Sequence, residues 1–290
     1  MKFGSWMRMR LRLLSHPQFY RHPASAIVRR LLWKAIWSRR EHIRFQTQYG
    51  FSVEGSPSDI GMGSLFYRGQ YEWSELELWQ RLLEKPVQAV VDIGANIGIY
   101  SLVAAQSCRR RGNDGVRIFG FEPNPAECEK FRRNVDLNGF RTVRVEQLAI
   151  SDRTGSCRMA LPPSGLGVFG HLLGAGDARS PRDHEVDVAT VDLDSWCADL
   201  GLDHVDLMKL DVEGHELQVL VGAERLLSRH AIGALLMEVG HGEWRRSIAT
   251  LEAHGYSIHA IGEGGCLEPF VDDRVGAWCN VLALAPGGEA

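Results

Sequence analysis

One short segment constrains the fold of this 290-residue chain more than any other. An apolar run ends at Ile93, passes into the turn Gly94-Ala-Asn-Ile-Gly98, and is followed by helical apolar spacing up to Gln106. Glycines between a strand and a helix let the backbone approach a ligand and leave amide groups free at the helix start. The segment therefore predicts a strand, a ligand-binding turn and a helix. A tight turn without a ligand is the alternative, because glycine is common in such turns.

The same alternation continues to the end of the chain and predicts an α/β fold with a mostly parallel sheet covered on both faces. The predicted strands are 88–93, 116–121, 142–150, 186–191, 204–210, 232–237, 257–261 and 278–284, with the last two antiparallel. The predicted helices are 97–106, 125–138, 193–200, a single helix through 219–227, and 244–254. Residues 151–182 are expected to form a long loop or a small irregular insertion, because they are rich in glycine and proline.

The net charge of −3 hides a strong asymmetry. Residues 1–50 contain eleven Lys and Arg against the single acidic Glu41, which gives +10, so the remainder carries −13. We call residues 1–50 the basic arm. Its segment 26–37 predicts a helix with Ile27, Leu31 and Ala35 on the apolar face. The opposite face carries Arg29, Arg30, Trp33, Lys34 and Trp37.

Three partners suit the basic arm: the acidic body of the same chain, an anionic membrane surface, and an acidic substrate. Docking on the body would use Ile27, Leu31 and Ala35. Binding to a membrane would place the rings of Trp33 and Trp37 at the depth of the lipid headgroups. Nucleic acid is disfavoured, because no known binding motif accompanies the charge. The six cysteines show no Cys-x-x-Cys spacing, and the first residues lack the features of a secretory signal. Both observations favour a cytoplasmic location. Peripheral contact with the inner face of the membrane is an option.

Two acidic residues indicate which ligand the glycine turn would take. The spacing differs from the Gly-x-Gly-x-x-Gly of dinucleotide-binding folds, and Asp92 beside the turn would repel phosphate but suit the sulfonium and ammonium of S-adenosylmethionine. Glu122 ends the next strand, 28 residues after Gly94, where a carboxylate can accept hydrogen bonds from both ribose hydroxyls. Ser151 and Asp152 follow the third strand and can bind the adenine amino group, or else cap a turn.

A further acidic segment, Lys209-Leu-Asp211-Val-Glu213-Gly-His215-Glu216, ends the strand 204–210. Ligands of open parallel sheets lie beyond the carboxyl ends of the strands, so Asp211 and Glu213 are expected in the cleft. Together with Glu238 and His241, these groups could deprotonate a hydroxyl or bind a divalent cation. Capping of the helix N-terminus by Glu213 is the alternative. No metal is predicted, since no rigid ligand pair such as His-x-x-x-His is present.

The motifs in series resemble the FkbM family of methyltransferases. The resemblance rests on Asp-Ile-Gly-Ala-Asn-Ile-Gly-Ile-Tyr-Ser (92–101), Phe-Glu-Pro-Asn-Pro (121–125), Ala-Ile-Ser-Asp (149–152) and Lys-Leu-Asp-Val-Glu-Gly-His-Glu (209–216). It implies a class I methyltransferase fold, with a seven-stranded sheet, a reversed C-terminal strand and a helix at 72–83 before the first strand. It also implies S-adenosylmethionine as cofactor and O-methylation of a sugar, glycolipid or polyketide-type hydroxyl.

By the same resemblance, each site residue has an expected role. Asp92, Gly94, Asn96 and Gly98 form the cofactor loop, Glu122 holds the ribose, Ser151 and Asp152 face the adenine, and Asp211 lies near the methyl donor. The resemblance identifies no catalytic base. From their position after the strand 204–210, the candidate catalytic residues are Asp211, Glu213 and His215.

The chain is expected to have two parts: a partly helical extension, 1–66, and a methyltransferase domain, 67–290, with a variable insertion around 153–185.

Two other functions stay open at the level of sequence. One is a module that binds S-adenosylmethionine without catalysis, and the other is a nicotinamide-dependent oxidoreductase, which the missing pyrophosphate loop disfavours. The acceptor is expected to be a small molecule or a glycan, and the sequence gives no indication of the oligomeric state.

Overall fold

The computed structural model describes residues 27–28, 31–33, 35–57, 62–63, 65–66, 72–161, 171–172, 184–272, 275 and 278–289. Parts of the predicted arm (1–26, Arg29, Arg30 and Lys34) and most of the predicted insertion (162–170 and 173–183) lie outside the described residues.

In the described residues, helices and strands alternate between residues 73 and 146, and further strands follow before the next helix begins at residue 193. The strands are β1 (Ile43–Gln46), β2 (Ser52–Gly55), β3 (Ala89–Ile93), β4 (Arg117–Phe121), β5 (Val143–Glu146), β6 (Ala149–Ser151), β7 (Gly155–Leu161), β8 (His171–Leu172), β9 (His184–Asp192), β10 (Val205–Leu210), β11 (Ile232–Val239), β12 (Ser257–Ile261), β13 (Leu267–Pro269) and β14 (Cys279–Leu284). The helices are α1 (Trp73–Leu82), α2 (Ile99–Arg110), α3 (Pro125–Asn138), α4 (Leu193–Asp199), α5 (Glu216–Val221), α6 (Glu224–Ser228) and α7 (Trp244–Ala253).

The main sheet has eight strands in the order β13-β12-β14-β11-β10-β3-β4-β5. Strands β11, β10, β3, β4 and β5 are parallel to one another, and β14 runs antiparallel to both of its neighbours. The predicted mostly parallel sheet with a reversed C-terminal strand is therefore confirmed. The short edge strand β13 was not predicted.

Alternate residues of the central strands pack into two hydrophobic cores, one on each face of the sheet. Val90 of β3 and Leu207 of β10 belong to the core under α1, α2 and α3, whereas Val91 and Met208 belong to the core under α4 to α7. All five residues of β3 are buried, as expected for a strand covered on both faces.

The predicted strand 142–150 is wrong as a single element. Its first half is β5 in the main sheet, and its second half, β6, pairs with β9 in a separate four-stranded sheet. Hydrophobic runs do not specify which strand they pair with, because pairing is decided by tertiary contacts. The predicted insertion is also more regular than expected, since β7 and β8 join this second sheet.

The predicted single helix through 219–227 is wrong as well, because the chain forms α5 and α6 with a break at Gly222. A Cβ atom on Gly222 would lie 2.0 Å from the carbonyl oxygen of Ser151. The Gly222 carbonyl also accepts a hydrogen bond of 2.9 Å from the Asp194 amide. The break therefore serves a close contact with β6 and α4, while the apolar positions of the pattern stay buried on both sides of it.

The basic arm docks on the body through a different face from the one predicted. Residues 27–28, 31–33 and 35 are helical, but Ile27 and Leu31 are 48% and 61% exposed, so the predicted contact through them is wrong. Trp33 is buried instead and lies 5.3 Å from the ring of Phe66, as does Trp37. Indole rings bury more apolar area than aliphatic side chains, which explains why they take the contact.

The hairpin formed by β1 and β2 packs into the core of the main sheet. Phe51 and Val53 are buried in the same hydrophobic cluster as Leu102 of α2 and Phe131 of α3. The division into an extension (1–66) and a methyltransferase domain (67–290) stays a prediction. In the described part of the chain, none of the helices is both long and apolar enough to span a bilayer.

Candidate active site

A cavity of about 480 Å³ opens at the carboxyl ends of β3, β4, β10 and β11. This volume suits a ligand of nucleoside size. The described residues that line it include seven acidic side chains and one lysine: Glu72, Glu75, Asp92, Glu122, Asp211, Glu213, Glu238 and Lys209. The cavity is therefore suited to cationic and neutral ligands rather than to phosphates.

The glycine turn between β3 and α2 forms one wall of this cavity. Gly94 has a φ of +79°, and a Cβ atom there would lie 1.7 Å from the carbonyl oxygen of Asp211. Gly98 has a φ of +90° at the start of α2, and its Cβ atom would lie 2.1 Å from the ring of Phe131. Both positions therefore need glycine for conformation and for space. Asn96 adopts a φ of +51° between them and lines the cavity.

Asp92 is buried below the turn and holds it in place. Its Oδ2 accepts hydrogen bonds from the Ser101 amide (3.0 Å) and from the Ser101 hydroxyl (2.7 Å). Burial raises the pKa of Asp92 to about 6, although the two hydrogen bonds and Lys209 oppose this shift. Asp92 thus fixes the start of α2 from within the cavity wall.

Glu122 directly follows β4, and both of its carboxylate oxygens point at the backbone of the site. Its Oε2 accepts from the Asn96 amide and its Oε1 from the Asn124 amide, each at 2.8 Å. Burial raises the pKa of Glu122 to about 7, against the effect of these two hydrogen bonds. Each oxygen retains a lone pair that could accept a hydrogen bond from a ribose hydroxyl.

The structure places Ser151, Asp152 and His215 beside one another, not among the residues that line the cavity. The Ser151 hydroxyl lies 2.9 Å from His215 Nε2 and 3.1 Å from Asp152 Oδ1. Asp152 is exposed, and burial lowers the pKa of His215. The neighbouring Leu148 and Ile150 line the cavity instead and offer an apolar surface for an adenine ring.

Lys209 was not predicted as a site residue, although it opens the motif that contains Asp211. It is 1% exposed, and its Nζ donates to Asp211 Oδ2 at 3.1 Å and to Asn280 Oδ1 at 3.2 Å. Burial lowers the pKa of Lys209, but Asp211 and Glu72 outweigh burial, so the net shift is upward. A lysine inside an apolar strand pattern is the signal that could have identified it, since unpaired burial of a charge is costly.

Glu72 and Tyr100 are two further site residues that the sequence did not reveal. The Tyr100 hydroxyl donates to Glu72 Oε2 at 2.6 Å, and Lys209 Nζ lies 5.3 Å from the Tyr100 ring. Burial raises the pKa of Glu72 to about 7, opposed by Lys209. The three residues meet only because α1, α2 and β10 pack together, so no local pattern marks them.

Glu213, Glu238 and His241 converge at one end of the cavity. One ligand atom from each lies within 4.8 Å of the others. Burial and the nearby Asp211 raise the pKa of Glu213 to about 7 and that of Glu238 to about 9. Glu238 Oε2 is buried without a hydrogen-bond partner among the described residues. We call these three residues the Glu-Glu-His cluster.

The residues present fit S-adenosylmethionine. The Gly94 turn leaves room for a ligand against backbone, Glu122 presents a buried carboxylate at the ribose position of this fold, and the acidic lining suits a sulfonium. A parallel sheet with a reversed final strand, a glycine turn after its first central strand and an acidic residue after the next define a class I methyltransferase.

Comparison with known sequences gives the same class. The methyltransferase FkbM domain matches residues 92–258, more than half of the chain. The 2-O-methyltransferase NoeI of Sinorhizobium fredii is 31% identical over 159 residues, which make up 51% of this chain and 62% of NoeI, less than two thirds of its length. The 31-O-demethyl-FK506 methyltransferase FkbM of Streptomyces tacrolimicus is 27% identical over 61% of this chain and 75% of its own length. The hexuronic acid methyltransferase AglP of Haloferax volcanii is 25% identical over 61% and 67%.

This chain therefore belongs to the FkbM family of S-adenosylmethionine-dependent methyltransferases. The predicted family, fold class and cofactor are confirmed.

Proposed function

We propose that this protein transfers a methyl group from S-adenosylmethionine to a hydroxyl of a sugar, glycolipid or polyketide-type product. The observation that carries the proposal is a single cavity that joins the cofactor loop and Glu122 to the carboxylates of Asp211 and Glu213. The relatives support an oxygen acceptor, since two of their names specify O-methylation and a third specifies a hexuronic acid.

When bound, S-adenosylmethionine supplies an electrophilic methyl group, which a lone pair of the acceptor oxygen attacks as the sulfur–carbon bond breaks. The chain contributes mainly orientation and exclusion of water, because the acceptor sits in a lined cavity. The hydroxyl proton passes to a carboxylate of the chain. Of the three candidate catalytic residues, Asp211 and Glu213 line the cavity and His215 does not, so we assign the proton to Asp211 or Glu213.

The acidic lining also bears on the acceptor. One lysine faces seven acidic side chains among the described lining residues, and Lys209 is already paired with Asp211. A negative charge on the acceptor would be repelled by those carboxylates of the lining that are ionised. We therefore favour a neutral hydroxyl compound over a uronic acid or a phosphorylated sugar.

The proposal is tested in two stages. S-adenosylhomocysteine should raise the melting temperature of the wild-type protein and of D211N, but much less that of E122A, because Glu122 contacts the nucleoside end. Methyl-labelled cofactor is then incubated with fractionated extract and with matched pairs of neutral glycosides and uronic acids. Label on oxygen that is lost in D211N or E213Q supports the assignment. Label on nitrogen alone would refute O-methylation, and binding without turnover on any fraction would favour a non-catalytic module.

We further propose that the basic arm contacts an anionic membrane surface. The support is the row of exposed apolar side chains Ile27, Val28, Leu31 and Ile36, which are 45–61% exposed, on an arm of net charge +10. Apolar side chains on a cationic helix favour binding to anionic lipid. Because Trp33 is buried against the body, the aliphatic residues take the position first predicted for the tryptophans.

Co-sedimentation with vesicles tests this contact. The wild-type protein should sediment with vesicles that contain phosphatidylglycerol and less with pure phosphatidylcholine. Leu31→Asp should weaken the binding, whereas Val221→Asp, at a valine 51% exposed on α5, should not. Equal binding of both variants, or none by the wild type, would rule the contact out.

A further inference from the structure

We infer that the Glu-Glu-His cluster (Glu213, Glu238 and His241) is a binding site for one divalent cation of the Mn²⁺ type. From the sequence, these residues together with Asp211 could bind a divalent cation, but no metal is predicted, because no rigid ligand pair such as His-x-x-x-His is present. The tertiary structure brings them together in the lining of the cavity.

The geometry of the cluster suits a cation. Its ligand atoms all lie within 4.8 Å of one another. Around an ion with bonds of about 2.1–2.3 Å, ligand atoms are separated by about 3 Å when adjacent and by about 4–5 Å when opposite. The three atoms can therefore contact one ion after small side-chain adjustments and leave other coordination positions open.

One ligand atom of the cluster lacks a hydrogen-bond partner. Among the described residues, Glu238 Oε2 has none. Glu238 Oε2 is fully buried, and a buried carboxylate oxygen without a partner is costly. Lys209, the nearby cation, directs its described contacts to Asp211 and Asn280. A cation at the cluster would supply the missing partner.

The backbone holds the two contributing loops together. Gly214, next to Glu213, and Gly242, next to His241, are in direct contact, and a Cβ atom on Gly242 would lie 2.4 Å from the Gly214 carbonyl oxygen. Glu238 stands near the end of β11, in register with Asn280 of β14. The ligand-bearing segments are thus fixed relative to one another before any ion binds, which lowers the entropic cost of binding.

The donor atoms indicate the kind of ion. Two carboxylates and one imidazole are a mixed oxygen and nitrogen set, which suits Mn²⁺ or Zn²⁺ better than Ca²⁺, which prefers oxygen ligands alone. An acceptor hydroxyl that ligates such an ion would lose its proton more readily. With Glu213 committed to the ion, the proton would pass to Asp211, which lines the same cavity.

Mn²⁺ binding to the metal-free protein tests the site without cofactor or acceptor. After dialysis against EDTA, the protein is titrated with MnCl₂ while free Mn²⁺ is followed by electron paramagnetic resonance. We expect one Mn²⁺ per chain, displaced by Zn²⁺. Because loss of even an indirect support of a metal site weakens binding about 10–100-fold, E238Q and H241A should each raise the Kd at least about tenfold.

Two matched controls make the result specific. E75Q removes a carboxylate that lines the cavity outside the cluster, and H204A removes an exposed histidine at the opposite end of β10. Both should leave the Kd within about twofold of wild type, since independent sites rarely couple by more than about 0.5 kcal/mol. His241 is exposed, so H241A should keep the wild-type circular dichroism.

The site is overturned if Mn²⁺ and Zn²⁺ do not bind saturably at millimolar concentration, or if E238Q and H241A bind as well as the controls. Because no cofactor is present in this titration, a negative result leaves the proposed methyl transfer untouched. Conversely, failure of methyl transfer leaves the cation titration unchanged.

Discussion

Glu122 shows how one side chain can serve both the loop and a ligand. Its two oxygens fix the Asn96 and Asn124 amides, and burial raises its pKa to about 7. The charged form is the better acceptor for ribose hydroxyls. The ionisation of Glu122 should therefore change the affinity for the cofactor near neutral pH.

We expect the affinity for S-adenosylhomocysteine to fall as the pH is lowered from 8 to 6. The direction follows because the carboxyl group is charged above its pKa of about 7 and neutral below it. E122Q should bind at least about tenfold more weakly, a loss of about 1.4 kcal/mol, with a smaller dependence on pH. Isothermal titration calorimetry at both pH values measures this, and an equal pH dependence in E122Q would show that another group is responsible.

Lys209 is the second residue whose charge stabilises the site, because it forms an ion pair with Asp211. Its removal in Lys209→Met would leave Asp211 without its ion pair in a cavity already crowded with carboxyl groups. Breaking a buried pair from one side costs about 3–5 kcal/mol, and we expect the lower end because Asp211 is 25% exposed. Urea denaturation gives the change in unfolding free energy.

An exposed ion pair provides the control for that measurement. Arg225 pairs with Asp194 at 3.4 Å, but the arginine side chain is 67% exposed. Arg225→Met should cost no more than about 1 kcal/mol, because solvent screens such pairs. Similar losses of unfolding free energy in the two variants would mean that burial of Lys209 does not strengthen its ion pair with Asp211.

At the scale of elements, the turn between β3 and α2 requires glycine at position 94, because the end of β3 and the end of β10 approach each other closely there. Gly94→Ala would place a Cβ atom 1.7 Å from the Asp211 carbonyl oxygen and would push β10 away from the turn. Gly112 has a similar φ of +72° but nothing within 4 Å of its Cβ position, so Gly112→Ala isolates the backbone cost, about 1–2 kcal/mol.

We expect Gly94→Ala to be less stable than Gly112→Ala by a further 1–3 kcal/mol or so, the usual cost of overpacking, and to lose cofactor binding. Urea denaturation and S-adenosylhomocysteine titration of both variants measure the difference. Equal stability and equal binding would show that the turn can move away from Asp211 at little cost.

At the scale of the whole molecule, the N-terminal hairpin is tied to the cofactor loop through one buried residue. Asn134 of α3 is fully buried, accepts from the Glu54 amide at 2.8 Å and donates to the Ile97 carbonyl at 3.2 Å. Asn138, one turn later, bonds both the amide and the carbonyl of Ser52 but not the loop.

Asn134→Ala should therefore affect cofactor binding from a distance. It leaves two buried backbone groups unsatisfied, at about 1–3 kcal/mol each, and should both destabilise the protein and weaken S-adenosylhomocysteine binding. Asn138→Ala should loosen the hairpin but keep the Kd within about twofold, because it does not touch the loop. Loss of binding in both variants would instead mean that the hairpin as a whole supports the loop.

The sequence by itself determined the parts of this protein that depend on neighbours along the chain. The buried run before Gly94, the proline and Gly139 that bound α3, and the apolar period of α7 each predicted its element, since local conformation and one buried face fix these patterns. The order of the four motifs predicted the family and the cofactor, and three of the four lie where a strand of the main sheet passes into a helix.

Only the tertiary structure decided which distant groups meet. The pairing of β6 with β9, the break at Gly222 and the docking of Trp33 depend on contacts between segments far apart in sequence. The same is true of part of the site, since Glu72, Tyr100 and Lys209 come from three elements. The sequence already grouped Glu213, Glu238 and His241 at the strand ends, and the structure adds that their ligand atoms lie within 4.8 Å of one another. A one-dimensional pattern records spacing along one element, whereas burial, pKa and ligand geometry arise between elements, so these three properties became visible only in the folded chain.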